Sequence, residues 1–428
     1  MKKVLIFVLA AVMAITAFGL TACSGDDEKV INGAGSLLIF DLTNPTDVEL
    51  TVDGKPDSIY KVQVGSHVVD ETKYSYSGGK LTISKSEIGD SVSPNKEIKV
   101  TVKADATPLK YRLIIATKVI TDCNAFQEIS KDLNGVYVLG ADLDFEDFGN
   151  FNPIGNTGKL YPPDKIGLDF AGTLIGAGHT ISNLTANADI MTDDEVYTEH
   201  DVYVDANNNP PTVRSGFGIF MRNAGTIEDI CFKDCTVKNS AGTIMGLVVA
   251  VNEGEIKNVF VDGGKVQGGN IWLDYNCFNA GFAGINGGSA KITNCVSTVT
   301  QIKADPKGTL ARAFCGKTWG EIKNCYACTD GIVLHDLATG SIRKNENSIQ
   351  GIIGSDSAPE LSDATGYGFT YKATESGSPM GSFDGCLATD AESLKQASLY
   401  KDYDKNVWNI SENSSDLPTL KVLYSVSK

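Results

Sequence analysis

The chain is predicted to be all-β: a stacked parallel solenoid preceded by a small sandwich. Three observations predict it. One phrase recurs four times between residues 218 and 327, with its anchoring isoleucines 227, 256, 292 and 322 spaced 29, 36 and 30 residues apart. The apolar runs in this stretch are three to six residues long, rich in Ile, Val and Phe, and bounded by Gly, Asn and Asp. No helix-length amphipathic pattern lies between 218 and 327. A fixed period of this size marks a repeat architecture, and short runs between turn residues make its unit a strand rather than a helix.

The copies read Gly225-Thr226-Ile227-Glu228-Asp229-Ile230, Gly254-Glu255-Ile256-Lys257-Asn258-Val259, Ala290-Lys291-Ile292-Thr293-Asn294-Cys295 and Gly320-Glu321-Ile322-Lys323-Asn324-Cys325. Stacked about 4.8 Å apart, they form columns. Ile227, Ile256, Ile292 and Ile322 make one apolar column, and Ile230, Val259, Cys295 and Cys325 a second. Strict alternation cannot turn both columns inward, so the strand must bend at Asp229, Asn258, Asn294 and Asn324. Asn tolerates the left-handed backbone that such a bend needs, and its stacked amides can bond from coil to coil. The glycine ahead of each Ile marks a corner where a side chain would obstruct the turn. Cys295 and Cys325 are expected as buried free thiols, since parallel register points them the same way.

Each copy follows a short apolar phrase, such as Gly218-Ile219-Phe220, Gly246-Leu247-Val248 or Gly281-Phe282-Ala283. The combined pattern, G-[LF]-V followed by N-x-G-x-I-x-N-C, resembles the GLUG motif of bacterial surface proteins, found also in non-catalytic regions of immunoglobulin A metallopeptidases. Phe126 to Leu139, Asn152-Pro153-Ile154-Gly155 and Phe170 to Leu184 resemble the entry to such domains. Trp408-Asn409-Ile410 and Leu417 to Lys421 resemble their close. The resemblance spans roughly residues 118 to 425 and implies a right-handed parallel β-helix. Strand twist favours the same hand. It implies little about activity.

In chain order, residues 1–22 read as a lipoprotein signal peptide: basic Lys2-Lys3, apolar Val4 to Ala17, then the lipobox Leu20-Thr21-Ala22-Cys23. Cys23 is the expected lipidation site, and outer-membrane lipid the expected partner through its acyl chains. Residues 23–35 are an acidic linker. Ser24-Gly25-Asp26-Asp27-Glu28 resembles the export signal of Bacteroidota surface lipoproteins, which implies a cell-surface location. Residues 36–117 hold six strand candidates (Leu37 to Phe40, Val48 to Val52, Tyr74 to Tyr76, Leu81 to Ile83, Ile98 to Val102 and Tyr111 to Ile115), with Ser77-Gly78-Gly79-Lys80 as a hairpin connection. The spacing suggests an immunoglobulin-like sandwich, and Lys73 to Ile83 weakly resembles the immunoglobulin-like X modules of polysaccharide-degrading enzymes. The repeat domain is placed at 118–385, opened by a helix with Thr121 as N-cap and Phe126, Ile129 and Leu133 on one face. Residues 186–213 interrupt it as a polar loop, and 336–380 are expected to form irregular coils. Residues 386–428 are expected to cap the far end, with a short helix at 389–400 whose capping box is Thr389 with Glu392.

Composition excludes some functions. A net charge of −16 disfavours nucleic acid and anionic lipid headgroups. Ten cysteines in 428 residues are too few for a disulfide scaffold. His67, His179, His200 and His335 form no H-E-x-x-H, so the peptidase motif is missing. His179 reads as a turn residue. Cys325-Tyr326-Ala327-Cys328 is C-x-x-C but sits on a strand, without the helix N-terminus that activates such a thiol, and no second pair completes a zinc site. Asp205-x-Asn207-x-Asn209 begins a calcium spacing, yet Pro210 replaces the turn Gly. No metal or cofactor is expected. Asp142, Asp144 and Asp169 are the carboxylates a β-helix lyase or hydrolase would use, but Asp142 and Asp144 lie in a structural phrase and no catalytic set is assigned. Trp272, Tyr275 and Trp319 are candidate ligand-binding aromatics, each equally able to pack locally. The function expected is a surface-anchored, non-enzymatic binding protein or adhesin for extracellular glycan or a host or bacterial surface protein. The alternative is a β-helix polysaccharide lyase or glycoside hydrolase.

Overall fold

The computed structural model describes residues 37–155, 169–190, 216–239, 244–268, 277–304, 309–328, 332–336, 341–344, 383–384, 387–388, 392–412 and 415–426. The chain is all-β in character, with only short helical turns among the described residues. It divides into two compact units. The first takes in residues up to Val119, Gly135–Val138 and Val422 onward, and the second Ile120–Asn134 and Leu139–Lys421.

The first unit has two sheets. In one, Leu38–Asp41 lies parallel beside Leu109–Ala116, which continues antiparallel through Ser93–Thr101, Lys61–Val64 and His67–Val68. The other is Val48–Thr51, Lys80–Ile83 and Tyr74–Ser77, all antiparallel. Alternation decides the core. Val62 and Val64, Ile98 and Val100, and Leu113 and Ile115 of the first sheet join Leu50, Leu81 and Ile83 of the second in one buried cluster. The predicted hairpin pairs Ser77 with Lys80. Gly78 and Gly79 take φ of 61° and 85° between them, the mirror-image turn that matches strand twist. Lys61–Val64 and His67–Val68 were not among the six predicted strands. Lys61–Val64 does alternate, but two valines in four residues give a weak signal.

The second unit opens with a helix, Cys123–Gln127, continued by a tighter turn at Glu128–Lys131. Its N-cap is Asp122 rather than Thr121. The Asp122 carboxylate accepts from the Ala125 amide at 2.8 Å, satisfying a donor that the first turn leaves orphaned. Phe126 and Ile129 are fully buried as expected, and the Phe126 ring packs on Phe145 and Phe151 at 6.0 and 5.7 Å.

The repeats then pair in parallel, each strand with its equivalent in the next copy. One ladder is Gly216–Phe217, Ile244–Gly246, Cys277–Ala280 and Thr309–Arg312. A second is Phe220–Asn223, Val249–Asn252, Ala283–Asn286 and Cys315–Thr318. A third carries the motif: Thr173–Ile175, Thr226–Lys233, Glu255–Asp262, Lys291–Thr293 and Glu321–Lys323. A fourth runs from Thr185–Asn187 through Thr236–Asn239, Lys265–Gly268 and Gln301–Ala304 to Ile332–Asp336, where Ser341–Lys344 turns back antiparallel.

The predicted columns are present. Ile227 pairs with Ile256, Ile256 with Ile292 and Ile292 with Ile322, all fully buried. Ile230 pairs with Val259, and the core side of that position continues through Cys295 and Cys325, both free and fully buried. Asp229, Asn258, Asn294 and Asn324 take φ of 56°, 52°, 54° and 51°, so the bend is made in the left-handed region at every copy. Their side chains form a chain of bonds. Asn324 Nδ2 donates to Asn294 Oδ1 at 3.2 Å, Asn294 to Asn258 at 3.4 Å, and Asn258 to Asp229 at 2.8 Å. The accepting end is the one copy with aspartate, which has no N–H to give. On the outer side Glu255, Lys291 and Glu321 face one another in turn, Lys257 meets Glu228 at 2.7 Å, and Lys233 faces Asp262. A slip of one copy would place like charges opposite one another, so the charges help fix register.

The end of the second unit departs from expectation. In place of a predicted helix over 389–400 there are two tight turns, Ser393–Lys395 and Ala397–Tyr400, followed by the short hairpin Trp408–Asn409 with Thr419–Leu420. Thr389 lies outside the described residues. Glu392 makes no capping bond, its carboxylate pairing instead with Lys395 at 2.8 Å. Rather than closing an end of the ladder, this segment packs along its flank, against Cys231, Phe260, Val296 and Tyr326. The reason is chemical. These four side chains stand on the outer side of the motif strands, and without cover they would form a continuous apolar stripe.

Candidate functional site

Cys23, Trp272 and Tyr275 lie outside the described residues. Trp319 sits at the corner between Cys315–Thr318 and Glu321–Lys323, with its amide donating to the Asn286 carbonyl at 2.8 Å. It is only 6 % exposed, so it offers no open ring face to a sugar. Cys325 points into the core, while Cys328 is half-buried against the aromatic cluster of the terminal segment.

The carboxylates singled out from sequence separate into two groups. Asp142 Oδ1 accepts from the Thr180 amide and bonds His179 Nδ1, each at 2.9 Å. His179 donates its own amide to the Gly176 carbonyl, closing a turn through Ala177 and Gly178, both at positive φ. Asp144 accepts from Asn183 Nδ2 at 2.8 Å and from the Glu146 amide at 3.0 Å, which together hold its carboxyl below the usual range. These bonds tie turns to strands. Cys231 lies in the same region, but burial pushes its thiol up to about 12, far from a thiolate nucleophile at neutral pH.

Asp169 belongs to a different arrangement. Phe170 bridges to Asn223, which brings Asp169 beside Arg222 on the strand Phe220–Asn223. Glu253 follows Val249–Asn252 in the next copy. The Arg222 guanidinium therefore lies between carboxylates from both neighbouring copies, with Nε 3.3 Å from Asp169 Oδ1 and Nη2 bonded to Glu253 Oε2. Arg222 is buried and both acids are mostly covered. Two carboxylates share one cation, so the group carries a formal charge of −1 in a poorly solvated place. Desolvation raises both carboxyls above their ordinary values, against the opposing pull of Arg222. Glu253 Oε1 is buried and makes no hydrogen bond among the described residues.

Next to this cluster runs a second amide ladder. Asn223 Nδ2 donates to Asn252 Oδ1 at 2.8 Å, Asn252 to Asn286 at 2.9 Å, and Asn286 to the Thr318 hydroxyl at 3.0 Å. All three asparagines are fully buried. This ladder donates forward along the chain, opposite to the one at the bends. The Asn of N-x-G-x-I was visible in the motif, but its partner in the next copy was not. Arg222 carries no repeat signal at all: its register mates are Val251, Ile285 and Lys317.

No protein-family model matches the chain, and no curated protein matches it.

The raised carboxyls give a pH dependence of definite sign. As pH falls from neutral toward the ordinary values of 3.8 and 4.5, the folded state takes up protons on Asp169 and Glu253 before the unfolded chain does. These two groups therefore favour folding as pH falls through that window and disfavour it as pH rises. The stability of wild type relative to an Asp169→Asn, Glu253→Gln variant is expected to decrease as pH rises from about 4 toward neutral, read from urea midpoints. A relative stability independent of pH, or increasing over this range, would contradict the raised values.

Proposed function

We propose that the chain is a lipid-anchored lipoprotein of the outer membrane, displayed at the cell surface, that binds an extracellular glycan or a surface protein without turning it over. Its repeat ladders are the faces of a right-handed parallel β-helix of the GLUG-motif type, and the first unit is an immunoglobulin-like stalk. The observation that carries the binding reading is the use of the repeat polar groups. The two asparagine ladders and the facing charge pairs bond to the same position in the next copy, which suits a rigid display surface more than a reaction centre. The parallel register of equivalent strands supports the β-helix, and the two sheets around one core support the sandwich. Anchoring rests on the lipobox at Leu20 to Cys23.

Cells grown with a clickable fatty acid are expected to label the wild-type chain and not Cys23→Ala, and protease added to intact cells is expected to remove the wild type. Resistance of the wild type on intact cells would refute display. A glycan and surface-protein array probed with residues 24–428 tests binding, and an array with no specific signal counts against it.

The arrangement of Asp169, Arg222 and Glu253 favours a second reading, a polysaccharide lyase or glycoside hydrolase. A carboxyl whose proton affinity is raised by burial beside a second carboxylate is a feature that acid–base cleavage of a glycosidic bond uses. Release of oligosaccharide or reducing ends from acidic glycans by the purified protein, abolished by Glu253→Gln, would establish this reading in place of the first.

A further inference from the structure

Residues Glu392–Lys421 are joined to the motif ladder differently from the way the ladder is joined to itself. The ladder strands share continuous backbone pairing from copy to copy. The terminal segment keeps its backbone bonds internal: Lys395 to Glu392, Leu399 to Gln396, Tyr403 to Tyr400, Trp408 to Asp404 and Lys421 to Val407. Among the described residues no backbone-to-backbone bond joins it to the ladder.

What holds it are side chains. Cys231, Phe260, Val296 and Tyr326 occupy one register position on successive copies. Leu394, Tyr400, Tyr403, Trp408 and Leu420 bury themselves on that stripe. Three side chains make the polar contacts that set the fit. Trp408 Nε1 donates to Asn258 Oδ1 at 3.2 Å, Tyr403 Oη to the Asn324 carbonyl at 2.8 Å and to the Cys295 carbonyl at 3.3 Å, and Tyr326 Oη to the Leu399 carbonyl at 2.7 Å. Two of the three touch the bend asparagines, so the segment reads the same feature that defines the repeat.

We propose that Glu392–Lys421 is a clasp that opens and closes as one unit on a standing ladder, and that opening bares the apolar stripe Cys231–Phe260–Val296–Tyr326. The ladder retains its backbone pairing whether the clasp is on or off. Release costs side-chain burial and the hydrogen bonds of these three side chains, so the open state lies below global unfolding in free energy, as a separate cooperative unit should.

The cysteines report the two events separately. Cys231 lies under the clasp, whereas Cys295 and Cys325 face the core beneath the same strands. The experiment is alkylation of the full-length chain with N-ethylmaleimide, read at each cysteine by peptide mass spectrometry. In wild type under rising urea, Cys231 is expected to label at lower urea than Cys295 and Cys325. Trp408→Ala is expected to raise the Cys231 rate in buffer by about tenfold or more, the change produced by ~1.4 kcal/mol, with the core pair still protected. Trp408→Phe, which keeps an aromatic ring and drops the indole donor, is expected to give a smaller rise and serves if the alanine variant does not fold. Labelling of Cys231 in step with Cys295 at every urea concentration would overturn the proposal, as would an unchanged Cys231 rate in a folded Trp408→Ala protein.

Discussion

Asn252→Asp is expected to destabilise the repeat unit by roughly 3–5 kcal/mol, the cost of an uncompensated buried charge. Asn252 is fully buried and bonded on every side. It accepts from Asn223 Nδ2 and from the Gly254 amide, and it donates to Asn286 Oδ1 and more weakly to the Gly254 and Lys291 carbonyls. Aspartate preserves the shape and the acceptors but has no N–H, so Asn286 loses its donor. Its charge would also sit beside Glu253, already part of a group with formal charge −1. A loss of this size is a large fraction of what a domain possesses. Urea denaturation followed by far-UV circular dichroism checks it, and a midpoint within error of wild type would show that the ladder is not a stabilising feature. Asp229 makes the contrast instructive. A natural aspartate ends the other ladder, where it only has to accept.

What could be read from the sequence was whatever repeats. The inward isoleucines, the left-handed bend and the cysteine column follow from four aligned copies, because parallel stacking turns sequence period into spatial column. The Ser77–Lys80 hairpin was legible for a local reason, two glycines between alternating strands. The features that escaped are those without a period. Thr121 and Asp122 are both good caps, and only the geometry of the first turn chooses between them. The flank position of Glu392–Lys421 depends on contacts such as Trp408 with Asn258, far apart in the chain, and on an outer stripe made of Cys, Phe, Val and Tyr. Its members share burial but not chemistry, so the column was not seen as one.

The candidate site was legible only in part. Asp169 was singled out as a carboxylate, but its partners come from two other copies, at positions where most of the equivalent residues are apolar. Three charged side chains meeting from three coils leave no local spacing to detect. Trp319 illustrates the opposite error. An aromatic at a corner looks available in sequence, whereas corners of stacked copies are where backbone turns pack most closely.

Gly254→Ala tests that close packing and is expected to cost about 3 kcal/mol, at the upper end for overpacking. The position does not need glycine for its φ. It needs the space: a Cβ on Gly254 would lie 2.1 Å from the Gly225 carbonyl oxygen and 2.8 Å from the Ala224 carbonyl carbon. That oxygen already accepts the Glu255 amide at 2.8 Å, and Gly254 itself donates to the Asn223 carbonyl at 3.0 Å. Neither strand can move aside without breaking the bonds that stack one copy on the next. The third copy shows how alanine is accommodated. Ala290 stands at the equivalent position, but its amide closes a turn onto Gly287 at 3.2 Å, and the longer interval lets the chain swing clear. Ala290→Gly should therefore cost less, about 1–2 kcal/mol, from the added freedom of the unfolded chain and the lost burial of one methyl group. Thermal and urea unfolding of the two variants side by side decide it. Equal effects at 254 and 290 would mean that the corner is not the steric limit on the repeat.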